Sequence, residues 1–256
     1  MIPLSIQNWF TNVFDAIQAW FNQIVNAVNG WFDQLADTFL TDDRYLWLVE
    51  GLENTLIITV GALLLGIALG TVISVVKYFA EDFKPLKPVS WLFGTYVTVI
   101  RGIPMTVLLL IVYYIIFADS NNGIMVGIIA FGLNSAAYIS EIVRGGISAV
   151  DKGQMEAARS LGMSRLQGMR KVVFPQAIKN MLPAIGNEMI ALLKETSVAG
   201  YVAVRDLTRA ASQIRNITYD SVNPLAVTAI TYLLIVLILT WLLSKFEKRL
   251  RKSDKG

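Results

Sequence analysis

Cysteine and histidine are both absent from the 256 residues, and the two gaps remove a wide range of chemistry. No disulfide, thiolate nucleophile, imidazole base or His/Cys metal site can form. Charge is scarce too: Asp, Glu, Lys and Arg make up 16% of the chain, against roughly 25% in an ordinary soluble domain. No G-x-x-x-x-G-K-[ST] loop is present to cradle phosphates, so the chain does not hydrolyse nucleotides itself. The net charge of +3 is not gathered into one basic face, which argues against nucleic acid as a partner. The first residues lack the basic n-region and short apolar core of a cleaved leader, so the whole chain is read as mature protein. Nothing calls for a catalytic residue, a metal or a cofactor.

What remains is apolar. Hydrophobic residues make up 55% of the chain and come in long blocks, the pattern a bilayer demands. The clearest block, 55–76, carries no charge, and its Gly66 and Gly70 form a small-xxx-small pair suited either to close helix packing or to lipid. Residues 89–117 are interrupted by Arg101-Gly102-Ile103-Pro104, which predicts an interfacial lead-in helix and then a kinked span over 103–117. Further spans are expected at 123–143 and 225–243. Segment 176–204 holds Lys179, Asn187, Glu188, Lys194 and Glu195, and is read as a span that buries polar groups against its neighbours.

The expected fold is therefore an all-α polytopic membrane protein with five transmembrane helices. Sixteen of the 22 basic residues then fall on one side and four on the other. The positive-inside bias puts the N-terminus outside and the C-terminus in the cytoplasm. Three regions follow: 1–45, a transmembrane domain at 46–250, and a basic cytoplasmic tail at 251–256.

Region 1–45 repeats itself. Trp9-Phe10, Trp20-Phe21 and Trp31-Phe32 recur every 11 residues, a period that keeps the pairs on one helical face. Phe10, Phe14, Ile17, Phe21, Ile24, Val28, Trp31 and Leu35 continue the stripe, while Asn12, Asp15, Asn22, Asn26 and Asp33 turn away. This predicts an external amphipathic helix in contact with membrane lipid, or one docked on the bundle or on a second subunit. The first basic side chain is Arg44, which suits the outer leaflet better than the anionic inner one.

The polar stretch between the third and fourth expected spans is the most specific feature. Gln154, Glu156, Ala157, Ala158, Arg159 and Leu161 favour a short helix. Gly162 stops it with positive φ, Ser164 caps a second helix, and Pro175 ends or bends that one. A helix pair on the basic side needs a docking partner, or Ala157, Ala158, Leu161 and Met163 would lie in water.

Glu156-Ala157-Ala158, then Gly162, then Val172-x-Phe174-Pro175 resembles the EAA loop of binding-protein-dependent ABC importer permeases. Arg101-Gly102-Ile103-Pro104-Met105, the block from Ala136 to Ile147, and Leu193-Lys194-Glu195-Thr196-Ser197 are similar to the polar-amino-acid branch of that family. The resemblance runs from about Leu52 to Leu250. Phe174 stands where the motif usually has Leu, and Glu195 where this branch commonly has Asp.

The resemblance implies a permease of the bacterial inner membrane that works by alternating access. Its implied partners are a cytoplasmic ATP-binding subunit dimer, a second permease, either an identical copy or a related partner, and an extracytoplasmic amino-acid-binding protein. Glu156, Ala157, Ala158 and Gly162 would couple to the ATPase. Lys194 and Glu195 are candidates to contact a zwitterion, with Asn134, Ser135, Tyr138 and Ser197 lining the path. An internal salt bridge or gate is the alternative for Lys194 and Glu195. Arg101 would hold a lipid head group at the cytoplasmic boundary. A secondary transporter or channel without an ATPase is the rival reading, but it leaves the 154–175 helix pair without a purpose. An intramembrane enzyme would have to rely on Ser197 near Lys194.

Overall fold

A computed structural model describes residues 4–80 and 83–252, with side chains from residue 12 to residue 249. Every regular element among the described residues is helical. Among the described residues three helices are long and apolar enough to cross a membrane: α2 (Tyr45–Phe79), α5 (Gly123–Ser148) and α10 (Asn223–Lys252). A fourth candidate is a bent pair, α3 (Lys87–Gly102) and α4 (Met105–Ile111, extended by a wider turn to Ile116). The chain bends by 112° between the two parts, with Pro104 as the N-cap of α4. Proline lacks an N–H and fixes its own φ, so the Gly102-Ile103-Pro104 break follows from the sequence.

α2 and α5 form the centre. A Cβ on Gly70 would stand 2.7 Å from the Ala136 carbonyl oxygen, and one on Gly66 would meet Ser135 Oγ at 2.8 Å. The glycines therefore serve packing rather than lipid, because they let two backbones approach closely. Ile58, Ala62, Leu109, Val112, Val126, Phe131 and Leu192 fill the core on one side of this contact. Ile139, Val143, Met169, Val173, Ala177 and Met181 form a second cluster nearer the C-terminal end of α5. α10, by contrast, leaves nearly all its apolar surface exposed.

Three short elements follow α5: α6 (Lys152–Ser160), α7 (Arg165–Gly168), and a wide turn over Met169–Val173 that runs directly into α8 (Phe174–Glu195). Pro175 was expected to end or bend the second short helix; instead it occupies the first turn of α8. There its missing N–H falls at the change from the wide turn to α8, where proline is tolerated. Residues 176–204 do not form one helix either. α8 stops at Glu195, and Thr196–Val202 winds in tighter turns to Ala203, whose φ is +60°. α8 is not among the helices apolar enough to cross, because Lys179, Glu188, Lys194 and Glu195 lower its hydropathy. α9 (Leu207–Thr218) then leads to α10.

α1 (Leu4–Leu40) is one helix of 37 residues, about 55 Å long. The side chains of Trp9 and Phe10 lie outside the described set, as do residues 253–256 of the tail. A short turn with Asp42 and Asp43 at positive φ separates α1 from α2. Arg44 secures that corner by donating to the Asp37 carbonyl and to Asp42.

Candidate functional site

The helix pair after α5 is built as its sequence suggests. Asp151 caps α6 by accepting from the Gly153 N–H. Gly162 has φ +81°, a conformation that costs glycine little and other residues much. Ser164 and Gln167 then make a reciprocal capping box, each side chain accepting from the other residue's N–H at 3.2 and 2.8 Å. Gly168 lets the two helices touch, since a Cβ there would meet Met155 Sδ and Ala158.

This packing divides the four expected coupling residues. Ala158 is buried against the chain itself, whereas Glu156, Ala157 and Gly162 face outward. Met163 is half-buried, so it too needs no external cover. The large apolar side chains left exposed are Leu161 and Leu166, at 79% and 62% exposure. Glu156 also borders a cleft of about 650 Å³ whose basic residues are Lys77, Arg144, Lys152 and Arg165. Arg165 lies over the Tyr78 ring at 4.7 Å, and Lys77 and Arg144 both pair with Glu141.

The second site lies between α5 and α8. Asn134 and Ser135 are buried on α5. Asn134 Nδ2 donates to Glu195 Oε2 at 3.2 Å, and Ser135 Oγ donates to Glu188 Oε1 at 2.9 Å. Glu188 and Glu195 are seven residues apart, so they share a helical face about 10 Å apart along the axis. The structure thus joins Asn134, Ser135 and Glu195, and adds Glu188. Lys194 is exposed, on a different side of α8 from Glu195. Tyr138 belongs elsewhere: Arg101 lies over its ring at 5.0 Å. Those two border a cavity of about 870 Å³ together with Trp91, Thr98 and Glu141. Ser197 is half-buried in the tight turns after α8.

At the far end of α2 lies a third polar cluster. Asp206 is fully buried and caps α9, accepting from the Thr208 and Arg209 N–H groups at 3.1 Å each. Burial pushes its carboxyl up to about 6 despite those bonds. Gly51 makes room for it, since a Cβ there would stand 2.7 Å from the Asp206 carbonyl oxygen.

Bent and straight apolar helices around a small-residue centre, with a capped helix pair after α5, define an all-helical protein with candidate membrane spans. Residues 62–252 match the binding-protein-dependent transport system inner membrane components, and the chain belongs to that family. It is 37% identical over 211 residues to the arginine transport system permease protein ArtQ of Bacillus subtilis (strain 168), covering 81% of this chain and 94% of that one. It is 32% identical over 212 residues to the glutamine transport system permease protein GlnP of Escherichia coli (strain K12), covering 80% and 93%. Among solved structures, an amino acid ABC transporter crystallised with histidines superposes with a TM-score of 0.74 at 41% identity, covering 82% of this chain and 98% of that one. An inward-facing MetNI methionine ABC transporter shares the fold, with a TM-score of 0.71 at 20% identity over 80% and 97% of the two chains.

Proposed function

We propose that this chain is the permease subunit of an ATP-driven, binding-protein-dependent importer of polar amino acids. Kinship with arginine and glutamine permeases supports the substrate class. In this reading α8 is the fifth crossing element, beside α2, the bent α3–α4 pair, α5 and α10. Its carboxylates are tolerable there because α5 supplies a donor to each. The basic α6–α7 side faces the cytoplasm and the N-terminus lies outside. A second permease copy encloses the path, and an external binding protein delivers the amino acid.

The α6–α7 pair is the observation that carries coupling. It is capped at both helix starts and exposes Leu161 and Leu166, the apolar surface a groove on an ATP-binding subunit would cover. Glu156 offers the negative charge beside that surface. Closure of two such ATPases would draw the pairs of two permeases together and rock the spans around the path. Glu188 and Glu195 supply carboxylate acceptors for a substrate ammonium group. A secondary transporter would have no need for this helix pair.

Purification from the native membrane tests the reading, with an ATP-binding subunit expected to co-purify. In proteoliposomes, amino-acid-loaded binding protein should stimulate ATP hydrolysis, and Glu156→Lys should remove the stimulation while leaving the protein inserted. Transport without any ATPase partner would overturn the proposal.

A further inference from the structure

The repeat helix α1 lies outside the family match, which begins at residue 62. Its large apolar residues from 13 to 32 occupy about 140° of the circumference at 100° per residue. Phe14, Ile17, Trp20, Phe21, Val28 and Phe32 are all exposed, so this chain's own bundle does not cover them. The opposite arc carries Asn12, Asp15, Asn22, Asn26 and Asp33, exposed as well.

Contact with the bundle is made at the C-terminal end. Thr38, itself buried, donates to Asp220 Oδ2 at 3.0 Å. Trp31 Nε1 donates to Asn223 Oδ1 at 3.0 Å, and the Asn223 amide donates to Asp220 Oδ2 at 2.7 Å. Asn223 is the first residue of α10. From Leu225 through Ile230, Leu233 and Leu237, α10 presents exposed apolar side chains, the surface a spanning helix gives to lipid. The mooring point is therefore the level at which α10 enters the bilayer.

We infer that α1 lies along the lipid surface at this level, its aromatic arc sunk into the head-group and acyl boundary, held to α10 by Thr38–Asp220 and Trp31–Asn223. Crossing the bilayer is not open to it, because the exposed arc with Asp15 and Asp33 would face hydrocarbon. The lipid surface is favoured over a protein because it continues the apolar surface of α10 directly. α1 carries Asp15, Asp33 and Asp37 and no basic residue. Apolar burial, not attraction to anionic lipid, must hold it there.

The absence of cysteine permits the test in the full chain without background. Spin labels are placed at Phe14→Cys, Phe21→Cys and Val28→Cys, and at Asp15→Cys, Asn22→Cys and Asn26→Cys, in phosphatidylcholine vesicles with and without phosphatidylglycerol. The expected result is an oxygen-over-nickel-chelate collision ratio that is high at 14, 21 and 28, low at 15, 22 and 26, and unchanged by the anionic lipid. Nickel access at 14, 21 and 28 equal to that at 15, 22 and 26 would overturn the inference. Protection of 14, 21 and 28 from both reagents would also overturn it and assign the arc to a protein partner. If labels disturb folding, quenching of native tryptophan by acyl-brominated lipid replaces them. Trp20→Phe should then remove a quenched component, and an unchanged quenching profile would sink the proposal.

Discussion

α1 and the α6–α7 pair are both amphipathic, both flank the spans, and both leave apolar side chains uncovered, yet they are built for different surfaces. α6 and α7 are short, capped at both starts, packed on each other through Met155, Ala158 and Gly168, and joined to the α5 and α8 cluster through Met155 and the following Met169. They expose two leucines, and the same helix pair carries the acid Glu156 and several bases. Such a small apolar spot inside mixed charge suits a protein groove, where shape and charge fix the register. α1 exposes an aromatic arc several turns long with no base, and is tied at one end. Such a surface has nothing to fix a register and suits a fluid. Amphipathicity alone does not name a partner; length, charge and anchoring do.

The comparison breaks most visibly at Gly162. Proline cannot adopt a φ of +81°, so Gly162→Pro should detach α6 from α7. ATP hydrolysis stimulated by the loaded binding protein should fall to the unstimulated rate while the subunit remains in the membrane. Full stimulation in proteoliposomes would separate the helix pair from coupling. No single substitution in α1 should have a comparable effect.

Glycines sharpen the contrast next. Gly70→Leu forces a side chain against the Ala136 carbonyl and should cost about 1–3 kcal/mol of stability, as overpacking does. Gly30 in α1 meets nothing within 4 Å. Gly30→Ala should therefore leave the bundle alone and favour α1 by up to about 1 kcal/mol. Thermal unfolding followed by tryptophan fluorescence would distinguish them, and equal shifts would mean that α1 is packed.

Much of this was readable in advance where the signal is local. The capping box needs only Ser164 and Gln167, the stop only Gly162, and the bend only the run from Gly102 to Pro104. The repeat in α1 and the Gly66–Gly70 pair were legible as patterns, though whether the glycines met a helix or lipid was not. What depends on a partner distant in sequence was missed. Glu188 stood in plain view as a polar residue in an apolar segment, but its tie to Ser135 spans 53 residues. Its spacing of seven from Glu195 was the available clue. The division of labour between Ala157 and Ala158, and Pro175 as the start of a helix, required knowing that the wide turn after α7 runs on into α8.

The polar pair on α8 tests whether the path and the coupling face are separable. Glu195→Gln keeps an acceptor oxygen but removes the negative charge, and a hydrogen bond to a charged group is worth about 1.5–3 kcal/mol, so the substitution should weaken apparent transport affinity by about tenfold or more. Assembly with the ATPase and amino acid binding to the external receptor should be unaffected. Unchanged affinity would assign Glu195 to an internal tie with Asn134 alone.

The smallest effect distinguishes the bundle's own cap from the one shared with α1. Asp206 has its carboxyl raised from 3.8 to about 6 by burial, so the folded state binds a proton that the unfolded chain has already released. Stability from this group is full below about pH 4 and is lost as pH rises through 6. Asp220 is the opposite case. Burial works against its charged form, but bonds from the Asn223 backbone and side chain, the Val222 N–H and Thr38 outweigh it and hold the carboxyl below its ordinary value. Its contribution is present above pH 4 and is lost as pH falls through the lowered value. Asp206→Asn should therefore flatten the decline in melting temperature between pH 4 and 6. Thr38→Val, which frees one Asp220 acceptor, should instead move the acid-side loss to a higher pH and lower stability above pH 4 by roughly 1 kcal/mol. If Thr38→Val leaves the acid limb where it was, α1 is not held to the head of α10 through Asp220, and the mooring must rest on Trp31.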